Sequence, residues 1–552
     1  MFFRKKRSGS RTYLQIVENR WENGRTKQRV VATLGRLDRL QADGELESLL
    51  RSGARFADAA VLLTAHQRGQ TAKGRTYRIG APLVFERLWR ETGCQRAIAS
   101  VLEGRKITFP VERSIFVTVL HRLIDPGSDR RADRWGSSYE IAGAETVKLH
   151  HLYRAMAWLG EELPEEEQEG RTPFAPRTTK DLIEERLFAE RRDLLSTLDL
   201  VFFDTTSIYF EGEGGETLGQ RGHSKDHRPD LKQMVVGLVI DRDGRPICCE
   251  LWPGNTADVK SLVPVVDRLR TRFAIRHVCV VADRGMISKE TLEALETRGL
   301  QYILGARMRS QKEVREEVLS RAGRYHVVHE PENPDGASPL KVKEVRVDGR
   351  RYIVCVNVDQ ARRDAANRDA IVASLEEQLK RGSKSLVGNK GYRKYLAKTA
   401  SRFEIDRAKI KREARYDGKW VLRTNTGLEA PEVALKYKQL WRVEHLFRTS
   451  KSILETRPIY HRHDATIRGH VFCTYLALVL RKALQDRLAA KGQHLEWADI
   501  IRDLDALETT VIEQDGKRFL LRSETRGVAG KVFQAVGVAL PPTLQQLPAG
   551  SS

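Results

Sequence analysis

Cysteine is scarce in this chain. Cys94, Cys248, Cys249, Cys279, Cys355 and Cys473 are the only six in 552 residues, and none stands in a C-x-x-C pair. That excludes a disulfide framework and the usual zinc spacings, and it reads as buried thiols of a reducing compartment. Long apolar runs are missing too: no stretch reaches the roughly 20 residues of a membrane-spanning helix. The first residues lack the apolar centre of a secretory signal. There is no internal repeat and no phosphate-cradling loop of the P-loop type. The expectation is a soluble, intracellular protein with no membrane partner.

Acid is in deficit. Lys and Arg number 96 against 74 Asp and Glu, a net charge of +22. Such a surface suits a polyanion, nucleic acid first and an acidic membrane surface second. The excess is uneven: residues 1–40 hold eleven Lys and Arg, including the run Arg4, Lys5, Lys6, Arg7. That run reads either as a DNA contact or as a solvated or targeting tail.

The pattern along the chain suggests seven regions. Residues 1–75 form a basic β-rich region for DNA binding, with two strands around the turn Asn23-Gly24. Residues 76–165 turn helical, as in "VERSIFVTVLHRLI", which stops at Pro126-Gly127 before a basic stretch. Several short helices with basic connectors fit a DNA-binding module or a helical support. Residues 166–195 read as a linker, within the polar stretch "EELPEEEQEGRTPFAPRTTKD" and beyond it. Residues 196–308 then give three antiparallel strands, a helix, a strand, a helix and a strand. "DVKSLVPVVDRLRTRF" is the first of these helices, with Thr256 available as its N-cap. This order matches the first part of a ribonuclease H-like core. Residues 309–430 form a β-rich insertion with hairpin turns at Asp348-Gly349 and Asp417-Gly418. Residues 431–490 bring the closing helices, one over 431–455 and one over 465–490. Residues 491–552 form a helical C-terminal region and tail. The fold class expected is mixed α/β: a ribonuclease H-like mixed sheet with flanking helices, split by the insertion.

Three acids can meet in that topology. Asp204 lies in the first strand of the core and Asp283 ends the fourth, and those strands are neighbours. Glu444 lies on the helix that would pack against the same edge. Mg²⁺ takes oxygen ligands and binds through a few carboxylates plus substrate phosphate, and Mn²⁺ can replace it. Two such ions activate the attacking oxygen and stabilise the leaving oxygen of a phosphodiester. Taken singly, each acid reads equally as a turn, cap or solvated residue.

The stretch "YKQLWRVEHLFRTSK" reads as one helix. In it Tyr437, Glu444 and Lys451 stand seven apart, so an unbroken α-helix would put them in one line. Arg448 lies beside Glu444, while Leu440, Val443, Phe447 and Leu454 form the adjoining buried arc. A basic line flanking one acid suits a metal ligand set among phosphate contacts; surface charge pairs give the same spacing.

At these residues the chain resembles the DDE transposases of bacterial insertion sequences, in the branch with a β-rich insertion. The signature there is Tyr, two residues, Arg, three residues, Glu, six residues, Lys. Tyr437, Glu444 and Lys451 match it, and Leu440 replaces the Arg. "FFDTTSIYF", "VADRGM", "RGHSKDHRPDLKQMVVGLVID", "LWPGNTAD" and "RPIYH" also resemble the family. The resemblance implies a Mg²⁺-dependent enzyme that binds the terminal inverted repeats of its element in double-stranded DNA. It would nick the ends and join the freed 3′-hydroxyls to target DNA. Asp204, Asp283 and Glu444 would be the metal ligands, and Tyr437 and Lys451 would contact phosphates. Arg442 or Arg448 would stand in for the missing Arg. A homodimer on paired ends and a cytoplasmic, nucleoid-associated location follow from the same resemblance.

Trp420 is a candidate to stack a flipped base, or a cross-strand packing residue. Lys225, His227, Arg228 and Lys232 form a basic strip before the second strand, a DNA contact or a solvated loop. His461, His463 and Asp464 read as backbone or capping contacts, and His150-His151 as surface. Two other functions remain open on the same residues: a repeat-binding protein without transposition, and a structure-specific nuclease without a joining step.

Overall fold

The computed structural model describes residues 1–22, 25–46, 48–49, 73–169, 171, 175–191, 200–273, 275, 278–328, 340–380, 392–398, 403–514 and 517–547. They divide into two compact units. One comprises 1–80, 497–533 and 539–552; the other comprises 81–496 and 534–538.

In the smaller unit the basic run is a strand, not a tail. β1 (Phe2–Ser8) pairs antiparallel with β2 (Arg11–Glu22), and β2 with β3 (Arg25–Arg36). The expected turn Asn23-Gly24 lies outside the described residues. Arg4 Nη1 and Nη2 donate to Gln28 and Gln15, while Lys5, Lys6 and Arg7 are exposed. A short strand, β4 (Lys73–Arg78), follows.

The larger unit is built on one sheet. It contains β5 (Leu200–Tyr209), β6 (Gln233–Asp241), β7 (Pro246–Pro253), β8 (Cys279–Ala282), β9 (Gln301–Ala306), β10 (His326–Val328), β11 (Leu340–Val347), β12 (Arg350–Asn357) and β15 (Lys419–Thr424). A separate pair, β13 (Leu396–Lys398) and β14 (Phe403–Ile405), stands apart from it. The order in the sheet is β10-β11-β12-β15-β9-β8-β5-β6-β7. Within it β7-β6-β5 are antiparallel and β5, β8 and β9 parallel, the order expected of the core. Both faces of β5, β6 and β8 are buried, which explains their continuous apolar sequences. Val201, Phe203, Val239 and Val280 pack on Val265 and Leu269 of the helix Leu262–Phe273. That helix begins later than expected, after a 3₁₀ turn at Asp258–Lys260, so Thr256 does not cap it. Ser288 caps the next helix, Lys289–Thr297, accepting from the Thr291 N–H at 3.0 Å.

The insertion continues this sheet. β15 pairs with β9 on one side and β12 on the other. The turn at Asp348-Gly349 joins β11 to β12 as expected. The turn at Asp417-Gly418 does not close a hairpin: the residues before it form the helix Arg407–Ala414. A 23-residue helix, Val358–Lys380, also lies in the insertion.

Other expectations need correction. The basic stretch after Pro126-Gly127 is a helix, Asp129–Gly136, capped by Ser128. The supposed linker 166–195 contains the helix Thr179–Arg191, tied into the unit by buried ion pairs. There Arg272 meets Asp181 at 3.1 Å, Glu184 at 2.7 Å and Glu250 at 3.2 Å. The helices Val111–Ile124 and Leu149–Leu159 pack on the long helix Asp464–Ala490. Gly469 allows the close approach, since a Cβ there would meet the Met156 carbonyl at 1.9 Å. The helix expected over 431–455 is broken into Ala430–Lys438, Trp441–Arg448 and a π-turn Thr449–Ile453.

The C-terminal region, expected to be helical, does contain the helices Trp497–Asp505 and Ala529–Val536, but it also supplies three strands to the smaller unit. β16 (Glu508–Gln514), β17 (Lys517–Arg522) and β18 (Leu544–Leu547) join β4 in the order β18-β17-β16-β4. All six cysteines are free and buried. Among the described residues no helix is long and apolar enough to cross a membrane.

Candidate active site

Parallel pairing of β5 with β8 positions the first two acids. Phe203 stands beside Ala282, and the next residue of each chain is Asp204 and Asp283. Asp204 is still within β5, opposite Leu238 of β6. Asp283 leaves β8 and opens the 3₁₀ turn Arg284–Met286. Arg307 braces that turn, Nε donating to the Arg284 carbonyl and Nη2 to the Gly285 carbonyl, both at 3.0 Å.

Asp204 is electrostatically burdened. Its carboxyl is pushed up to about 7, by burial first and by Asp283 and Glu444 after it, against the opposing pull of Lys225 and of the Thr205 N–H at 2.7 Å. Two like charges beside a desolvated acid are the environment that a bound cation relieves. Glu444 sits on the exposed side of Trp441–Arg448, the helix that packs on β5. Among the described residues, however, no three His, Cys, Asp or Glu side chains are drawn together into a metal-holding group. The donor set, all carboxylate oxygen, fits a hard divalent cation; its ligand shell is not closed in this structure.

The signature residues have protein partners. Tyr437 is half-buried, and its hydroxyl donates to Asp283 Oδ1 at 3.2 Å. Burial and Asp283 both push that hydroxyl's pKa far up, keeping it a donor. Gly305 makes room for it: a Cβ there would lie 2.5 Å from the Tyr437 oxygen. Lys451 is also half-buried and pairs with Asp226 at 2.7 Å. The single line of Tyr437, Glu444 and Lys451 is therefore interrupted. Between the first two, i→i−3 bonds such as Leu440 N–H to Tyr437 and Val443 N–H to Leu440 tighten the turn. Such a turn advances the chain by about 120° per residue rather than 100°. Beyond Glu444, the π-turn loosens it. Leu440 is buried, so an apolar residue fits where the family signature has Arg. Arg442 donates to the Arg242 carbonyl, and Arg448 is exposed one turn beyond Glu444.

The basic strip divides. Lys225 Nζ reaches the Thr205 carbonyl at 2.7 Å and Asp258 at 3.1 Å, beside the acids. Arg228 pairs with Asp230 and lies over the Tyr209 ring, and Lys232 pairs with Glu213. Trp420 is half-buried on β15 opposite Cys355, in a central strand, with its indole Nε1 buried and unpartnered. Asp464 accepts from the Glu216 and Thr217 N–H groups, and His463 meets Glu216. His461 contacts His470, with Asp129 at 3.5 Å. Two acids near the site were not singled out from sequence. Asp258 accepts from Thr205 Oγ1 at 2.7 Å, and Asp226 holds Lys451. Both lie inside segments already marked, "LWPGNTAD" and "RGHSKDHRPD", but only contacts far along the chain reveal their partners.

Comparison with known proteins bears on these residues directly. Residues 196–480, which contain all three acids, match the family model of the transposase DDE domain. Residues 3–66 match that of the N-terminal domain of IS1634 family transposases. No curated protein matches the sequence. Among solved structures, a piggyBac transposase synaptic complex with hairpin DNA aligns with TM-score 0.39 and 12% identity, over 77% of this chain and 79% of that one. A Mos1 transposase paired-end complex with the left transposon end aligns at TM-score 0.15 and 14% identity, over 36% and 61%. A Mos1 mariner paired-end complex with Mn aligns at 0.14 and 13%, over 38% and 66%. Likenesses with TM-scores this low add nothing to the assignment, which rests on the DDE-domain match over more than half of the sequence: the chain belongs to the DDE transposases of insertion sequences, enzymes that act on DNA ends.

Proposed function

We propose that Asp204, Asp283 and Glu444 form the cleavage and joining site of this transposase. DDE transposase domains depend on divalent metal in general; here the ion is Mg²⁺, with Mn²⁺ able to replace it. One observation carries the reading: Asp204 and Asp283 directly follow the paired residues Phe203 and Ala282, and the helix that bears Glu444 packs on the strand of Asp204. When bound, the metal supplies charge neutralisation and activation of the attacking oxygen.

The chain's own residues do the rest. Tyr437 holds Asp283 through its hydroxyl. Lys225, anchored on Thr205 and Asp258, offsets part of the negative charge at Asp204. Arg448 and Lys451 follow Glu444 along the chain and serve phosphates of the DNA end. The substrate is double-stranded DNA carrying the element's terminal inverted repeats. Water cleaves the end phosphodiester, leaving a 3′-hydroxyl, and that hydroxyl then displaces a phosphodiester oxygen in target DNA. The net charge of +22 supports retention on DNA and association with the nucleoid, and two ends call for a homodimer.

The test is a purified protein, a labelled duplex bearing the repeat that flanks the coding region, and Mg²⁺. Asp204→Asn, Asp283→Asn and Glu444→Gln should each abolish cleavage and joining while DNA is still bound. Cleavage that survives all three substitutions sinks the assignment. Cleavage in the wild-type chain without transfer of the labelled 3′-end to a second DNA would favour a nuclease.

A further inference from the structure

The loop between β5 and β6 is fastened at two successive residues. Lys225 is bound to Thr205 and Asp258, next to Asp204. Asp226 Oδ1 meets Lys451 Nζ at 2.7 Å and Arg457 Nη1 at 3.1 Å. The Asp226 side chain is only 5% exposed and that of Lys451 12%. Arg457 also lies over the ring of Tyr209, the last residue of β5.

The bonding inside this clasp is incomplete. Two cations share one carboxylate oxygen, while Asp226 Oδ2 is buried without a partner. Arg457 Nε is buried without a partner as well. A lysine has three N–H donors, and the hydrogen bond found for Lys451 uses one. Buried charges with unmet hydrogen bonds are a poor source of stability. Unused donors beside a set of acids suit an incoming anion.

We propose that Asp226 is a positioning residue for DNA cleavage. It fixes Lys451 and Arg457 as a preorganised cation pair for a phosphate of the DNA end, and Lys225 anchors the same loop to the strand of Asp204. This rests on the reading of Asp204, Asp283 and Glu444 as the cleavage site. Fixing two long side chains in advance removes the ordering cost that binding would otherwise incur. The sign of one substitution separates this role from simple electrostatics. An acid among cations repels phosphate, so a carboxylate that acts by charge alone weakens DNA binding, and its removal strengthens it. A positioning carboxylate has the opposite effect.

The experiment measures single-turnover cleavage of the repeat-bearing duplex in Mg²⁺, and its binding across a salt series. Asp226→Asn keeps the side-chain volume and an acceptor oxygen. It should slow cleavage on the order of 10²-fold, the scale of a small misplacement of a reacting group. It should lower the slope of log affinity against log salt by about one, as for one lost phosphate contact. On a Lys451→Ala background it should add little. Arg457→Gln carries the same slope expectation and serves if Asp226→Asn does not fold. Tighter DNA binding, wild-type cleavage, or an equal loss on both backgrounds overturns the role of Asp226. Wild-type cleavage that persists in Asp204→Asn overturns the underlying site instead, a result visible without any change at Asp226.

Discussion

The hydroxyl of Tyr437 donates to Asp283 Oδ1, joining the signature helix to the end of β8. An acid held by an outer-shell donor keeps its orientation as metal and substrate exchange. Tyr437→Phe keeps the ring and removes only that bond. It should lower cleavage roughly 10- to 100-fold, the usual cost of an outer-shell partner, and raise the Mg²⁺ concentration needed for half-maximal rate. A rate that falls with no change in metal requirement would place Tyr437 on the DNA instead. Gly305→Ala should lower cleavage as well, because its Cβ would crowd both that hydroxyl and the Arg284 backbone nitrogen beside Asp283.

Asp204 should make the metal-free protein less stable. It is pressed between desolvation and two like charges, with Lys225 as the opposing cation. Catalytic clusters of this kind trade stability for function. At neutral pH without metal, Asp204→Asn should melt a few degrees higher than wild type. Added Mg²⁺ should raise the wild-type melting temperature and leave that of Asp204→Asn nearly unchanged. Differential scanning fluorimetry with and without chelator reads both, and an Asp204→Asn protein that melts lower than wild type would contradict the account.

Strands were easier to read from sequence than their distant partners. "LVFFDTTSIYF" and the run ending at Asp283 are apolar and bounded by turns, and both became central strands. β4 was not placed by its own pattern, since Thr76 meets Thr510 across a separation of 434 residues. The break at Gln439-Leu440 has no Gly or Pro to announce it. Helix propensity reads straight through it, and only the i→i−3 bonds show where the periodicity fails. Lys451 could be matched to a signature, but its partner Asp226 lies 225 residues earlier. Local spacing carries the period of an element, while the partner of a charged group is a property of the fold.

Arg272 illustrates the same limit at the supposed linker. Its guanidinium meets Asp181, Glu184, Glu185 and Glu250, nearly all of them buried. Lys180 and Arg268 supply the other cations, Arg268 through Glu250 and the Ala175 carbonyl. Removing one member of a buried network leaves the opposite charge uncompensated, at about 3–5 kcal/mol. Arg272→Ala should lower the unfolding free energy from urea titration by that order, and Arg272→Lys should recover little because an ammonium lacks the planar fork. A change within 1 kcal/mol, the usual range of surface ion pairs, would show that the network is open to water.

His121 and His470 should govern acid sensitivity. Burial lowers His121 to about 3, with Arg122 and Arg131 adding to the effect. Its ring stands edge-on to Trp135, and its Nε2 is buried without a partner. His470 is lowered well below its ordinary value by burial, then by Arg122 and His461, with the Thr456 carbonyl opposing. A histidine depressed in the folded state takes up a proton only on unfolding, between its folded value and the ordinary 6.5. In that window the unfolded chain binds more protons, so stability rises with pH and is lost as pH falls below 6.5. Each histidine can contribute up to about 1.4 kcal/mol per pH unit. His121→Gln should flatten the dependence of unfolding free energy on pH between about 6 and 4 by close to one proton. Urea titrations at successive pH values measure that slope, and a slope equal to wild type would mean that His121 is protonated in the native protein.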